Sequence, residues 1–222
     1  MYLTKRSRGI LNAWHFQFDS GLVFTAQWFR LCGGVVHPLT RRYEAMRVQQ
    51  LNIQTDRLEM VQITADDWDL FQSLNQDPEV ISLCFDEPSP EAIKESFESR
   101  LPVWSNSSEH WLCLTMTLTE TGEKIGVTGF RIADGIAEVG YLILPKYHGR
   151  GFGTESLKAL ILWASEEQGI RSFGAIVTEG NIVSEKVLTK AGFSLAKVVP
   201  EAYQIGGKLY ADHIYNYENI VS

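Results

Sequence analysis

The chain has no CxxC pair, and its three cysteines, Cys32, Cys84 and Cys113, are widely spaced and odd in number. That pattern excludes a disulfide framework and lacks the spacing of a zinc site, so a reducing, cytoplasmic setting without a metal is expected. Cys113 lies inside an apolar run and reads as a small core residue. Long apolar runs are also scarce. The stretch from Gly21 to Val36 is interrupted by Arg30 and falls short of the roughly 20 residues that a membrane span needs. It lacks the small-residue cleavage site of a secretory signal. There is no internal repeat and no low-complexity segment. The 222 residues therefore read as one domain plus an extension, and 45% hydrophobic residues suffice for a sizeable core.

Positive charge is thin where the domain lies. Residues 1–50 carry seven Lys/Arg against Asp19 and Glu44; of the chain's 20 basic and 27 acidic side chains, this leaves 13 and 25 for residues 51–222. So acidic a domain repels phosphates, which argues against nucleic acid as a partner. It would favour cationic substrates such as amines, although surface acids also serve solubility alone. The first 45 residues are basic and rich in aromatics, and their arginines faintly suggest an organelle transit peptide. The plainer reading takes Met46 as the start and residues 1–45 as an upstream extension of the reading frame. The division is thus an extension over 1–50 and a domain over 51–222.

What is present centres on Glu138 to Ser156. Val139, Tyr141 and Ile143 alternate with Gly140, Leu142 and Leu144, a strand pattern ended by Pro145. Gly149, Gly151 and Gly153 then come at every second position, with Arg150 among them. Leu157, Leu160, Ile161 and Ala164 follow at helical spacing. Strand, glycine-rich turn and helix start, in that order, gather free backbone N–H groups at the positive end of a helix dipole, which is an anion site. The turn lacks the lysine of a P-loop, and its third glycine falls one residue too early for a dinucleotide fingerprint.

Along the rest of the domain, residues 52–63 read as a first strand. Ala65-Asp66-Asp67 open a helix that Asp77-Pro78 breaks, and a second helix spans Glu91–Arg100. Trp111–Leu118, Lys124–Ile132 and the strand from Ile136 form an antiparallel succession. Gly169 caps the long helix. Phe173–Thr178 is an apolar strand, Asn181–Ala191 a short helix, and Phe193–Val199 with Leu209–Glu218 an antiparallel pair. The class is α/β with a mixed sheet.

His148-Gly149-Arg150-Gly151-Phe152-Gly153 resembles the (Q/R)xxGx(G/A) pyrophosphate loop of the GNAT acetyltransferases, with His148 departing at the first position. Asn181, Ser184, Leu188, Lys190, Gly192 and Phe193 resemble the NxxSxxxLxKxGF segment of the RimJ/RimL-type branch. Thr55-Asp56-Arg57-Leu58, Gln76-Asp77-Pro78-Glu79-Val80 and Gly207–His213 resemble its opening strand, first helix and last hairpin, so the similarity covers roughly residues 52 to 218. It implies a mostly antiparallel mixed sheet with a central, splayed parallel pair, flanked by helices.

The resemblance further implies acetyl-CoA as cosubstrate and direct transfer to a primary amine in a ternary complex. The acceptor would be a protein N-terminus, polyamine, amino acid or aminoglycoside. His148, Gly149, Arg150, Gly151, Phe152, Gly153 and Thr154 would hold the diphosphate, although His148 also reads as a solvated loop residue. Leu142 and Leu144 lie on the strand that would flank the pantetheine arm, and the N–H of Leu142 or a neighbour would face the thioester oxygen. Glu138, on the same side as Gly140 and Leu142, is the first candidate to deprotonate the amine; Glu179 is the second. The branch has Leu188 where many relatives have a proton-donating Tyr, so Ser184 is the substitute, with Tyr210 a further option. Asn181 would cap its helix, bond the pantetheine amides, or both. Residues between Cys84 and Trp104 would shape acceptor choice. Two rival readings are a CoA-binding sensor or scaffold without turnover, and an enzyme that acetylates aminoacyl-tRNA. Relatives of this shape often form homodimers through sheet edges; no residue here signals it.

Overall fold

The structure, a computed structural model, describes residues 51–218. The basic extension and the Met46 start lie outside the described residues. Eight strands form one sheet: β1 (Asn52–Gln54), β2 (Leu58–Gln62), β3 (Leu112–Leu118), β4 (Lys124–Ala133), β5 (Ile136–Ile143), β6 (Ser172–Thr178), β7 (Ser194–Ile205) and β8 (Lys208–Glu218). Their order is β1-β2-β3-β4-β5-β6-β8-β7, and β5–β6 is the parallel pair. The helices are α1 (Trp68–Gln76), α2 (Pro78–Ile81), α3 (Pro90–Glu98), α4 (Phe152–Glu166) and α5 (Ile182–Ala191). Among the described residues no helix is long and apolar enough to cross a membrane.

The mixed α/β sheet with one parallel pair is as expected; several boundaries differ. The single first strand expected over 52–63 is two strands. Thr55 Oγ1 accepts from the Leu58 N–H at 2.9 Å and Thr55 N–H donates to the Leu58 carbonyl at 2.9 Å, which folds the chain back into a hairpin. Local side-chain bonding of this kind competes with a continuous strand. Residues 65–67 form a 3-10 turn before α1. Helix starts follow the expected chemistry: the Asp77 side chain accepts from Glu79 N–H at α2, and that of Ser89 from Ala92 N–H at α3. Gly192 ends α5 with φ of 102°.

Alternation on the central strands divides the core between two faces. Leu112, Leu114 and Met116 of β3, with Val139 and Ile143 of β5, pack with Leu157, Leu160, Ile161 and Ala164 of α4 and Leu188 of α5. On the other face Cys113 and Val127 pack with Phe71 and Leu74 of α1 and Ile93 and Phe97 of α3. Each fully buried Leu or Phe contributes about 1.5–3 kcal/mol. Burial pushes the Cys113 thiol up to about 11, so it stays an inert core thiol.

Candidate active site

The parallel pair is short. β5 and β6 are in register at Ala137↔Phe173 and Glu138↔Gly174, and then they part. Each keeps its other neighbour: β5 stays paired with β4 out to Ile143, and β6 with β8 out to Thr178. The facing edges of residues 139–143 and 175–178 therefore border an opening. Two cavities meet there. The outer, about 450 Å3, runs from His148 and the start of α4 to Ser184; the inner, about 310 Å3, lies between β5, β6, α1 and the end of α3. Leu83, Cys84, Tyr141, Leu142, Asn181 and Ser184 line both.

The outer end is built by the glycine turn. After the 3-10 turn Pro145–Tyr147, Gly149 and Gly151 have φ of 71° and 85°, the left-handed region that glycine enters without strain. Gly151 opens α4. Among the described residues, the N–H groups of Phe152, Gly153 and Thr154 have no acceptor, as expected in a first helical turn. His148, Gly149, Gly151, Phe152, Gly153 and Thr154 all line the outer cavity. His148 Nε2 lies 2.7 Å from the Ile143 carbonyl, which can only accept, so Nε2 carries a hydrogen and Nδ1 remains.

Arg150 does not line the cavity. Its guanidinium lies over the rings of Tyr147 and Phe152, at 5.5 and 5.2 Å. Its carbonyl accepts from Arg57 Nη1 at 3.1 Å. Arg57 also pairs with Glu155 in the first turn of α4, Nε to Oε2 at 2.7 Å, and lies 4.4 Å over the Phe152 ring. Thr55 Oγ1 donates to the same carboxylate at 2.6 Å. Burial would raise the Glu155 pKa, but these hydrogen bonds and the Arg57 charge bring it below the usual range. The β1–β2 turn thus clamps the glycine turn. Sequence reasoning missed this; the only signal was that Thr55 and Arg57 sit in a quoted motif.

At the inner end Glu138 lines the cavity and is paired across the strands with Arg131, Nη2 to Oε2 at 3.9 Å. The Trp111 ring approaches Gly140 so closely that a Cβ there would lie 3.3 Å from it, so the missing side chain lets the indole settle over β5. Asn181 Oδ1 accepts from Ser184 N–H at 3.1 Å and caps α5. Ser184 lines both cavities, and its hydroxyl makes no hydrogen bond to a described backbone group. Tyr141, not singled out from sequence, donates its hydroxyl to the Ser184 carbonyl at 3.3 Å. Burial drives its pKa up to about 12, so the phenol keeps its proton at neutral pH.

Three other candidates stand elsewhere. Leu144 lies beyond the end of β5, its N–H bonded to the Ile125 carbonyl at 2.9 Å, and lines neither cavity. Glu179 Oε2 accepts from Ala211 N–H at 3.3 Å, away from both cavities. Tyr210 lies under Lys208, 4.5 Å from its Nζ. Of the segment expected to shape acceptor choice, Cys84, Phe85, Ser96 and Arg100 line the inner cavity, whereas Trp104 packs in the core against Phe130.

The sheet thus sets one splayed parallel pair beside a glycine-rich helix start. The acetyltransferase (GNAT) domain family matches residues 57–194, and the chain belongs to that family; it is an N-acetyltransferase. It is 25% identical over 177 residues to the uncharacterized N-acetyltransferase YoaA of Bacillus subtilis, covering 74% of this chain and 94% of that protein. Solved structures of similar fold include RimL, a ribosomal L7/L12 α-N-protein acetyltransferase in complex with coenzyme A, with TM-score 0.67 and 18% identity over 76% of this chain and 98% of that one. Another is the spermidine N-acetyltransferase of Vibrio cholerae in complex with CoA and spermine, with TM-score 0.65 and 15% identity over 74% and 96%.

Proposed function

We propose that this chain transfers the acetyl group of acetyl-CoA to a primary amine by direct attack in a ternary complex. The observation that carries this reading is the continuity of the β5–β6 opening with the first turn of α4. The residues fit the cosubstrate on two counts. The N–H groups of Phe152, Gly153 and Thr154, which have no acceptor among the described residues, lie beside Gly149 and Gly151 and offer donors without side chains in the way, as a diphosphate requires. The free edge of β5 offers an extended, amide-rich arm a strand to lie along. The RimL and spermidine enzymes were solved with coenzyme A, and both act on amines, which supports the same chemistry here and is consistent with the RimJ/RimL-type branch.

When bound, acetyl-CoA supplies an activated acyl group on a thioester; the protein binds, orients and moves protons. His148 Nδ1 adds a donor to the diphosphate when the ring is protonated. Arg150 contributes charge from the rim. Glu138 accepts the proton of the incoming ammonium, directly or through water, so that the nitrogen lone pair can attack. The N–H of Leu142 or a neighbour faces the oxygen that gains charge, worth about 3 kcal/mol in such sites. As the carbon–sulfur bond breaks, Ser184 Oγ hydrogen-bonds the departing sulfur, and the proton still carried by the acylated nitrogen passes to that sulfur, through water or the nearby Tyr141 phenol. Titration calorimetry with acetyl-CoA and CoA, followed by thiol release over a panel of primary amines, tests the proposal. Correctly folded protein that takes up neither thioester nor thiol would overturn it.

A further inference from the structure

The inner cavity contains a cation that has no counter-charge among the described residues. Arg100, just past the end of α3, lines it, and Nη1 donates to the carbonyl and hydroxyl oxygens of Ser96. Its guanidinium lies 5.2 Å over the Phe71 ring. Among the described residues, neither Nε nor Nη2 has a hydrogen-bond partner, and no carboxylate pairs with this side chain. Burial pulls its pKa below the ordinary arginine value, opposed only by the Cys113 thiol, yet arginine starts so high that it stays charged at neutral pH. A half-buried guanidinium with open donors and no anion is costly by itself.

Arg100 and Glu138 are the two charged side chains among the residues lining this cavity. They form no ion pair with each other, and among the described residues Glu138 is paired with Arg131. The cavity thus presents one cation and one anion at separate points of its wall. Its volume of about 310 Å3 lies at the lower end of the roughly 300–1,000 Å3 of small-molecule sites. A polyamine would bring two or more positive charges against Arg100, whereas an amine that also carries a carboxylate matches both charges.

We infer that the acceptor is a small amino-carboxylate, its carboxylate held by the open donors of Arg100 and its amine directed toward Glu138. This rests on the acetyl-transfer reading and narrows its acceptor class. A guanidinium fork pairs with a carboxylate through parallel hydrogen bonds, which a lysine ammonium cannot reproduce.

The test is a matched acceptor panel. Free L-amino acids, β-alanine and 4-aminobutyrate are compared with their carboxamides, their decarboxylated amines and spermidine, by thiol release from acetyl-CoA. The wild-type protein is expected to favour one or more of the carboxylates over the matched neutral or cationic partners. Arg100→Gln is expected to raise KM for that acceptor about 10–100-fold, to raise it less for the carboxamide, which offers the guanidinium one neutral acceptor oxygen, and to leave CoA affinity unchanged. Arg100→Lys should recover part of the loss, which guards against reading a folding defect as a binding defect. Turnover of spermidine or plain amines in preference to every carboxylate, with Arg100→Gln neutral, would overturn the inference while leaving acetyl transfer intact. Absence of CoA uptake by the wild type would instead remove both readings.

Discussion

Arg57 and Glu155 stand 98 residues apart in the chain, and the guanidinium Nε donates to the carboxylate at 2.7 Å. The same guanidinium donates to the Arg150 carbonyl, so one side chain ties the β1–β2 turn to both the glycine turn and the first turn of α4. The glycine turn is held from behind by a residue that does not line the outer cavity.

Arg57→Ala is accordingly expected to weaken CoA binding more than folding. Loosening the glycine turn should raise Kd about tenfold, or ~1.4 kcal/mol. The pair itself is partly in solvent, with side chains 48% and 19% exposed, and such pairs contribute about 0–1 kcal/mol to stability. Titration calorimetry and a melting curve on the same preparation separate the two effects, and an unchanged Kd would detach Arg57 from the loop.

Gly151→Asp puts a carboxylate beside the N–H groups of Phe152 and Gly153. Aspartate tolerates the left-handed region better than most residues, so the fold should persist at φ near 85°. The diphosphate would meet a like charge at the helix start, and CoA affinity should fall on the order of 100-fold. Calorimetry reads the loss, and a native circular dichroism spectrum shows that it is local.

Glu138→Gln removes the proposed proton acceptor but keeps the shape. Turnover should drop about 10²–10⁴-fold while CoA affinity stays at the wild-type value. Equal turnover in the two proteins would move the base elsewhere, and a dead wild type with intact CoA binding would favour the sensor reading.

Glu155 links the clamp to pH. Its folded pKa is below the ordinary value because Thr55 and Arg57 outweigh burial. A depressed folded pKa means that the contribution is fully present above the unfolded value, about 4.3, and is lost as pH falls through the folded value. Melting temperatures measured from pH 7 down to pH 3 should therefore fall less steeply for Glu155→Gln than for the wild type. Parallel curves would show that the carboxylate contributes nothing to acid sensitivity.

The element types were legible because they depend on near neighbours. The alternation of Val139, Tyr141 and Ile143, the helical spacing from Leu157 to Ala164, and Asn181 at the start of α5 all appear as read. The β1–β2 hairpin was not legible, since TDR between two short apolar runs breaks the strand only once Thr55 bonds Leu58. Leu144 read as strand because it is apolar; Pro145 instead makes it the residue that enters the 3-10 turn.

By itself the sequence determined the glycine turn at the start of α4, because glycine spacing ahead of a helix start governs which N–H groups stay bare within a few residues. Folding decided how far β5 and β6 stay together, which side chain clamps the turn from 98 residues away, and that Arg100 and Glu138 share one cavity. These depend on closure of the sheet and docking of α1 and α3 on its face. Such contacts join residues whose spacing along the chain carries no period and no motif, so only the packed core brings them within reach.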